Sequence, residues 1–128
     1  MTRDGYYRAR TTTQVEELRR LAAALSRIYK TPTPEIVFNP AAVPAGAHAC
    51  YQPMIKTITI KDTSIVSFLH EFRHHIQWIH KTEAYQNNEV ERDAQAWACS
   101  VFYKASPGLF KTAVQQGRIM GVTAEDLA

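Results

Sequence analysis

Apolar and polar positions along the chain recur with two periods, and these periods divide it into elements. From about Thr13 to Tyr29, Val15, Leu18, Leu21, Ala22, Leu25 and Ile28 return every three or four residues, the spacing of one helix face. Thr13, with Glu16 three positions on, forms a capping-box pattern at its start. Residues 1–13 are polar and read as a leader into it. Thr31-Pro32-Thr33-Pro34 stops the helix, because proline cannot continue it and disfavours the helical region in the residue before it. Short strands are expected at Glu35-Ile36-Val37-Phe38 and His48-Ala49-Cys50-Tyr51, with a loop of small residues between them. Residues 54–61 form a third strand, rich in β-branched side chains, in which Ile55, Ile58 and Ile60 alternate only imperfectly with polar neighbours.

The helical period returns from about Ser64 to Lys81, where Ile65, Phe68, Leu69, Phe72, Ile76 and Ile79 make an apolar stripe behind a Ser64 cap. A polar connection through Gln86-Asn87-Asn88 leads to a helix over residues 88–105, with Val90, Ala94, Trp97, Ala98, Val101 and Phe102 facing its core. Pro107-Gly108 ends that helix, and Trp78 and Trp97 read as packing residues. Residues 106–128 form a tail: an amphipathic piece from Leu109 to Gln116, glycines at 117 and 121, and a turn at Thr123-Ala124-Glu125-Asp126-Leu127. No segment repeats, and 128 residues suit a single domain, 1–128, with a modest core. The fold class expected is α+β: a short, mostly antiparallel sheet packed on the 64–81 helix and the helix after it, plus the N-terminal helix.

One pentapeptide in the 64–81 helix carries chemistry: His70-Glu71-Phe72-Arg73-His74. Histidines four apart stand one turn above each other, so both imidazoles reach one metal ion. Zinc takes neutral imidazoles at about 2.0–2.1 Å, keeps a position open for water and lowers that water's pKa to about 7. Glu71, roughly 100° round the helix from His70, lies on the rim where it can take the water's proton and pass it on. Chance could produce such a pair among five histidines. Against chance, His70 and His74 lie off the apolar stripe, with Gln77, on a flank facing a cleft or solvent.

A catalytic zinc site needs a third protein ligand. His80 stands six residues after His74 but without the turn-making glycine, and it falls out of step with the ligand face. The 88–105 helix offers Glu89, Glu91 and Asp93, which an acidic first turn complementing the helix dipole also explains. Glu91 aligns with Ala94, Gln95 and Ala98, small residues that let two helices approach closely, and is the first choice. Asp93, shorter and at the opposite border of the stripe beside Trp97, is the second.

The order of strand, H-E-x-x-H helix and a second helix bearing Glu91-Arg92-Asp93-Ala94-Gln95-Ala96-Trp97-Ala98 resembles the zincin metallopeptidases of the gluzincin type. The small size and Ile58-Thr59-Ile60 are similar to the minigluzincins and ImmA/IrrE-like peptidases. The resemblance spans about residues 36–102. It implies a zincin-like fold, Zn2+ held by His70, His74 and Glu91, and Glu71 as general base in hydrolysis of a peptide bond. Gln95 stands where many relatives have Asp or Asn, a position that orients a ligand histidine. Arg73 and His75 replace residues that are commonly small, and His75 is expected to flank the site in solvent. The 55–60 strand is expected to be a sheet edge to which an extended peptide or protein substrate adds by backbone pairing. Tyr103, Tyr85, His80 and Arg73 are the available oxyanion donors. A catalytically silent zinc-binding regulatory or partner-binding module on the same scaffold is the alternative, against which the intact Glu71 argues.

The remaining composition changes little. A net charge of +3 with basic residues scattered, not clustered, makes nucleic acid an unlikely partner. Cys50 and Cys99 are too few for a disulfide framework and lack zinc spacing. No secretory leader or membrane-length apolar run is present, so the expectation is a cytoplasmic protein with no membrane association.

Overall fold

In the computed structural model, residues 3–116 are described, with side chains from Arg10 onward. Helix α1 runs Arg3–Tyr29 and buries Val15, Leu18, Ala22 and Leu25. It begins ten residues before the expected cap at Thr13, through the stretch read as a leader. No proline interrupts that stretch, and extending an existing helix costs far less than nucleating one. It ends with Lys30 in the left-handed region (φ 57°) and the Thr31 N–H bonded 3.0 Å to the Ser26 carbonyl.

Strands β1 (Glu35–Phe38), β2 (Ala49–Gln52) and β3 (Thr57–Ile60) form one sheet in the order β1-β3-β2. β3 pairs parallel with β1, Ile58 opposite Ile36, and antiparallel with β2, Ile58 opposite Tyr51. The sheet is therefore mixed, where a mostly antiparallel one was expected. The expected edge strand is the central one, and the edges are β1 and β2. All four β3 residues are buried, Thr57 and Thr59 included. A strand covered on both faces has no reason to alternate, which is the physical source of the imperfect pattern in its sequence. Between β2 and β3, a 3-10 turn over Pro53–Ile55 closes with Lys56 left-handed (φ 48°).

Helix α2 runs Ile65–His80. The Ser64 side chain accepts from the Ser67 N–H at 3.4 Å, and Asp62 Oδ1 in turn accepts from the Ser64 N–H at 3.0 Å. Lys81, left-handed at φ 49°, ends it. The connection beyond contains a one-turn helix, α3 (Glu83–Gln86), whose Thr82 cap accepts from the Tyr85 N–H. Asn88, again left-handed, opens the way to α4 (Val90–Ala105). Helix α5 (Pro107–Gln115) folds back on α4 through Phe110, Ala113 and Val114, packed against Cys99 and Phe102. The residues at 117, 121 and 123–127 lie outside the described part.

The main core gathers the inner faces of α1, the sheet, α2 and α4 around Phe68 and Phe72, both fully buried. Helices α2 and α4 share the most extensive interface. Ala94 and Ala98 are fully buried there, and their small side chains let the two helix axes come close. Among the described residues, no helix is long and apolar enough to cross a membrane.

Candidate metal centre

His70 and His74 project from one face of α2, their rings edge to face with centroids 4.8 Å apart. Glu91, one residue into α4, reaches across the interface to both. Its Oε2 lies 3.0 Å from His70 Nε2 and its Oε1 lies 3.0 Å from His74 Nε2. The histidine side chains are 18% and 15% exposed, while that of Glu91 is 76% exposed. Ligand atoms of His70, Glu71 and His74 also lie within 4.8 Å of one another. Glu71 from the same helix and Glu91 from α4 thus both approach the two histidines.

The outer ring nitrogens are held by amides. His70 Nδ1 faces Gln95 Oε1 at 3.0 Å, and His74 Nδ1 faces Gln77 Oε1 at 2.8 Å. Gln95 stands at the position the family resemblance assigned to orienting a histidine. Gln77 was expected on an open flank. It is instead 1% exposed and donates through Nε2 to the Val90 carbonyl at 2.9 Å and to Asp93 Oδ2 at 2.8 Å. Asp93, the second choice for the third ligand, accepts from Arg73 Nε at 2.7 Å and Nη2 at 3.3 Å. These bonds hold its carboxyl below the usual carboxylate range, the Arg73 hydrogen bond most of all.

Glu71, half-buried, projects from α2 toward Tyr51 of strand β2. Burial first, and then the charge of Glu91, push its pKa up to about 8, while the Tyr51 backbone N–H bonded to its carboxylate opposes the rise. The sheet edge beside Glu71 is therefore β2. Burial, then the charge of Glu71, raise the Cys50 thiol on the same strand.

His75 is fully buried, not solvated. Its Nε2 donates to the Pro32 carbonyl at 2.7 Å, and its Nδ1 meets the Tyr51 hydroxyl at 2.6 Å. It ties the edge strand β2 and the α1–β1 turn to α2, and burial lowers its pKa. The other candidates are engaged elsewhere. His80 Nε2 donates to the Tyr29 carbonyl at 2.7 Å, Tyr85 packs on Trp78, Tyr103 packs on Phe110, and Arg73 holds Asp93. A cleft of about 390 Å³ opens beyond the Arg73–Asp93 pair, lined by Thr82, Glu83, Glu89 and Arg92 among others. None of His70, Glu71, His74 or Glu91 lines it, so concavity alone does not mark the metal group.

Sequence reasoning missed Gln77, Asp93 and Arg73 as one connected support, although Gln77 stands three residues after His74 on the same helix face. No family model matches this chain, and neither a curated protein nor a solved structure matches it at a significant level.

Proposed function

We propose that this protein is a zinc-dependent metallopeptidase of the gluzincin type, in which His70, His74 and Glu91 hold the ion and Glu71 is the general base. One observation carries the reading. The Nε2 atoms of His70 and His74, one turn apart on α2, each lie 3.0 Å from an oxygen of the single Glu91 carboxylate. His70, His74 and Glu91 would together hold a divalent cation. Two imidazoles and one carboxylate are also a donor set that leaves zinc a position open for chemistry.

Zinc, when bound, supplies a Lewis acid that polarises a carbonyl and acidifies water. The chain supplies the rest. Glu71 sits half-buried beside the ligands, oriented by the Tyr51 N–H, where it can take a proton from the attacking water and deliver it to the leaving amine. With Glu91 engaged on a cation, its smaller share of the upward push on Glu71 would be offset, and Glu71 would move toward the range in which it is ionised at neutral pH. The substrate is a peptide or protein segment paired to the outer edge of β2, since β3 already has partners on both sides. Two free thiols, Cys50 and Cys99, suit a reducing, cytoplasmic setting.

The test pairs metal content with cleavage of a peptide library followed by mass spectrometry. Wild type is expected to hold about one zinc per chain and to cleave. Glu71→Gln is expected to hold the same zinc and to lose cleavage. Cleavage by Glu71→Gln at the wild-type rate overturns the mechanism. A wild type that holds zinc and cleaves nothing points to the silent module instead.

A further inference from the structure

The contacts around Gln77 form a one-way chain of hydrogen bonds. Its amide nitrogen has two N–H groups, and both are committed: one to the Val90 carbonyl at 2.9 Å, the other to Asp93 Oδ2 at 2.8 Å. Neither partner can donate in return, since a carbonyl and an ionised carboxylate are acceptors only. Asp93 is kept ionised by the Arg73 guanidinium, which grips both of its oxygens. The Gln77 amide therefore cannot flip, and its oxygen must face His74. The ring nitrogen 2.8 Å from that oxygen, Nδ1, must then carry the hydrogen.

We propose that Gln77, locked by Asp93 and Arg73, is a positioning residue that fixes His74 in the Nδ1–H tautomer and so keeps the Nε2 lone pair aimed at the metal. The proposal rests on the metallopeptidase reading for its purpose, but not for its geometry. The competing acceptor, Glu91 Oε1, favours a proton on Nε2. That competition is unequal. The Glu91 side chain is 76% exposed and can turn to water, whereas Gln77 is 1% exposed and has nowhere to turn. Leaving a buried amide oxygen unbonded carries its full desolvation penalty, while releasing an exposed carboxylate to solvent costs little. The Nδ1 proton wins. This also gives Arg73 a role: it sits inside the H-E-x-x-H motif and acts through three successive hydrogen bonds on the ligand it serves.

Histidine tautomers can be read from ring-nitrogen shifts in the metal-free, isotope-labelled protein, at a pH above the titration of free imidazole. The wild-type His74 is expected to be protonated on Nδ1. Gln77→Met keeps the bulk and removes the acceptor, so the proton should move to Nε2. Asp93→Asn introduces an amide that can donate to Gln77, which frees that side chain to flip and should produce a tautomer mixture. Zinc affinity should fall about 10–100-fold in Gln77→Met. A wild-type ring protonated on Nε2 overturns the proposal, as does a folded Gln77→Met with an unchanged tautomer. The wild-type measurement stands even where a variant does not fold. Failure of the wild type to bind zinc removes the metallopeptidase reading instead, and the tautomer assignment is judged separately.

Discussion

Glu91 and Asp93 are two residues apart on α4 and end in different networks, one against the histidine Nε2 atoms and the other on Arg73 and Gln77. Removing each should therefore do different things. After dialysis against dilute zinc, Glu91→Ala should retain almost no metal, while Asp93→Ala should retain it with weakened affinity. Equal retention in both, measured by elemental mass spectrometry, would reassign the third ligand. His75 supports a second prediction at this scale. Burial places its folded pKa below the ordinary value of 6.5, so the neutral ring is favoured in the fold. Its contribution to stability is present above that value and is lost as pH falls through the lowered one. With chelator present, the urea midpoint should drop between about pH 7 and about pH 5, and His75→Gln should flatten the drop. Gln can keep both bonds, donating to Pro32 and accepting from Tyr51. A His75→Gln profile as steep as the wild type's would assign the pH dependence to other groups.

Much of the element order can be read from local pattern, and the exceptions have physical causes. The Ser64 cap and the Ile65–His80 helix follow from side chains within one turn of each other. Ser64→Ala should accordingly cost about 1 kcal/mol in urea unfolding. Phe72→Ala, at a fully buried position of the stripe, should cost about 3–5 kcal/mol. The central place of β3 depends on which strands flank it, and a four-residue stretch holds no record of that. The burial of His75 depends on partners 24 and 43 residues away, Tyr51 and Pro32, and polarity alone suggested solvent. The metal group divides the same way. His70, Glu71 and His74 are fixed by helical spacing, and Glu91 by its line of small residues. Gln77 takes its role from Asp93, sixteen positions on, across an interface that exists only once α2 and α4 have packed.

That interface would make a bound ion a matter for the whole molecule. Glu91 comes from α4 and the histidines from α2, so one cation would cross-link the two helices that share the largest contact. Zinc at about 100 times its dissociation constant should raise stability by about 2.7 kcal/mol, reversed by chelator. Thermal unfolding followed with and without zinc measures it, and no shift in the wild type would argue against a resident metal. Elsewhere the chain leaves stability unclaimed. Three lysines, Lys30, Lys56 and Lys81, hold left-handed backbone at turn positions where glycine would be at ease. The left-handed conformation costs a side-chain-bearing residue about 1–2 kcal/mol, and glycine's extra freedom when unfolded returns about 0.5–1 kcal/mol of that. Lys81 has compensation, its amine 3.4 Å from the Trp78 ring centroid. The other two make ready points for engineering a hardier scaffold: Lys30→Gly with Lys56→Gly should tolerate more heat than the natural chain while leaving every residue of the metal group untouched.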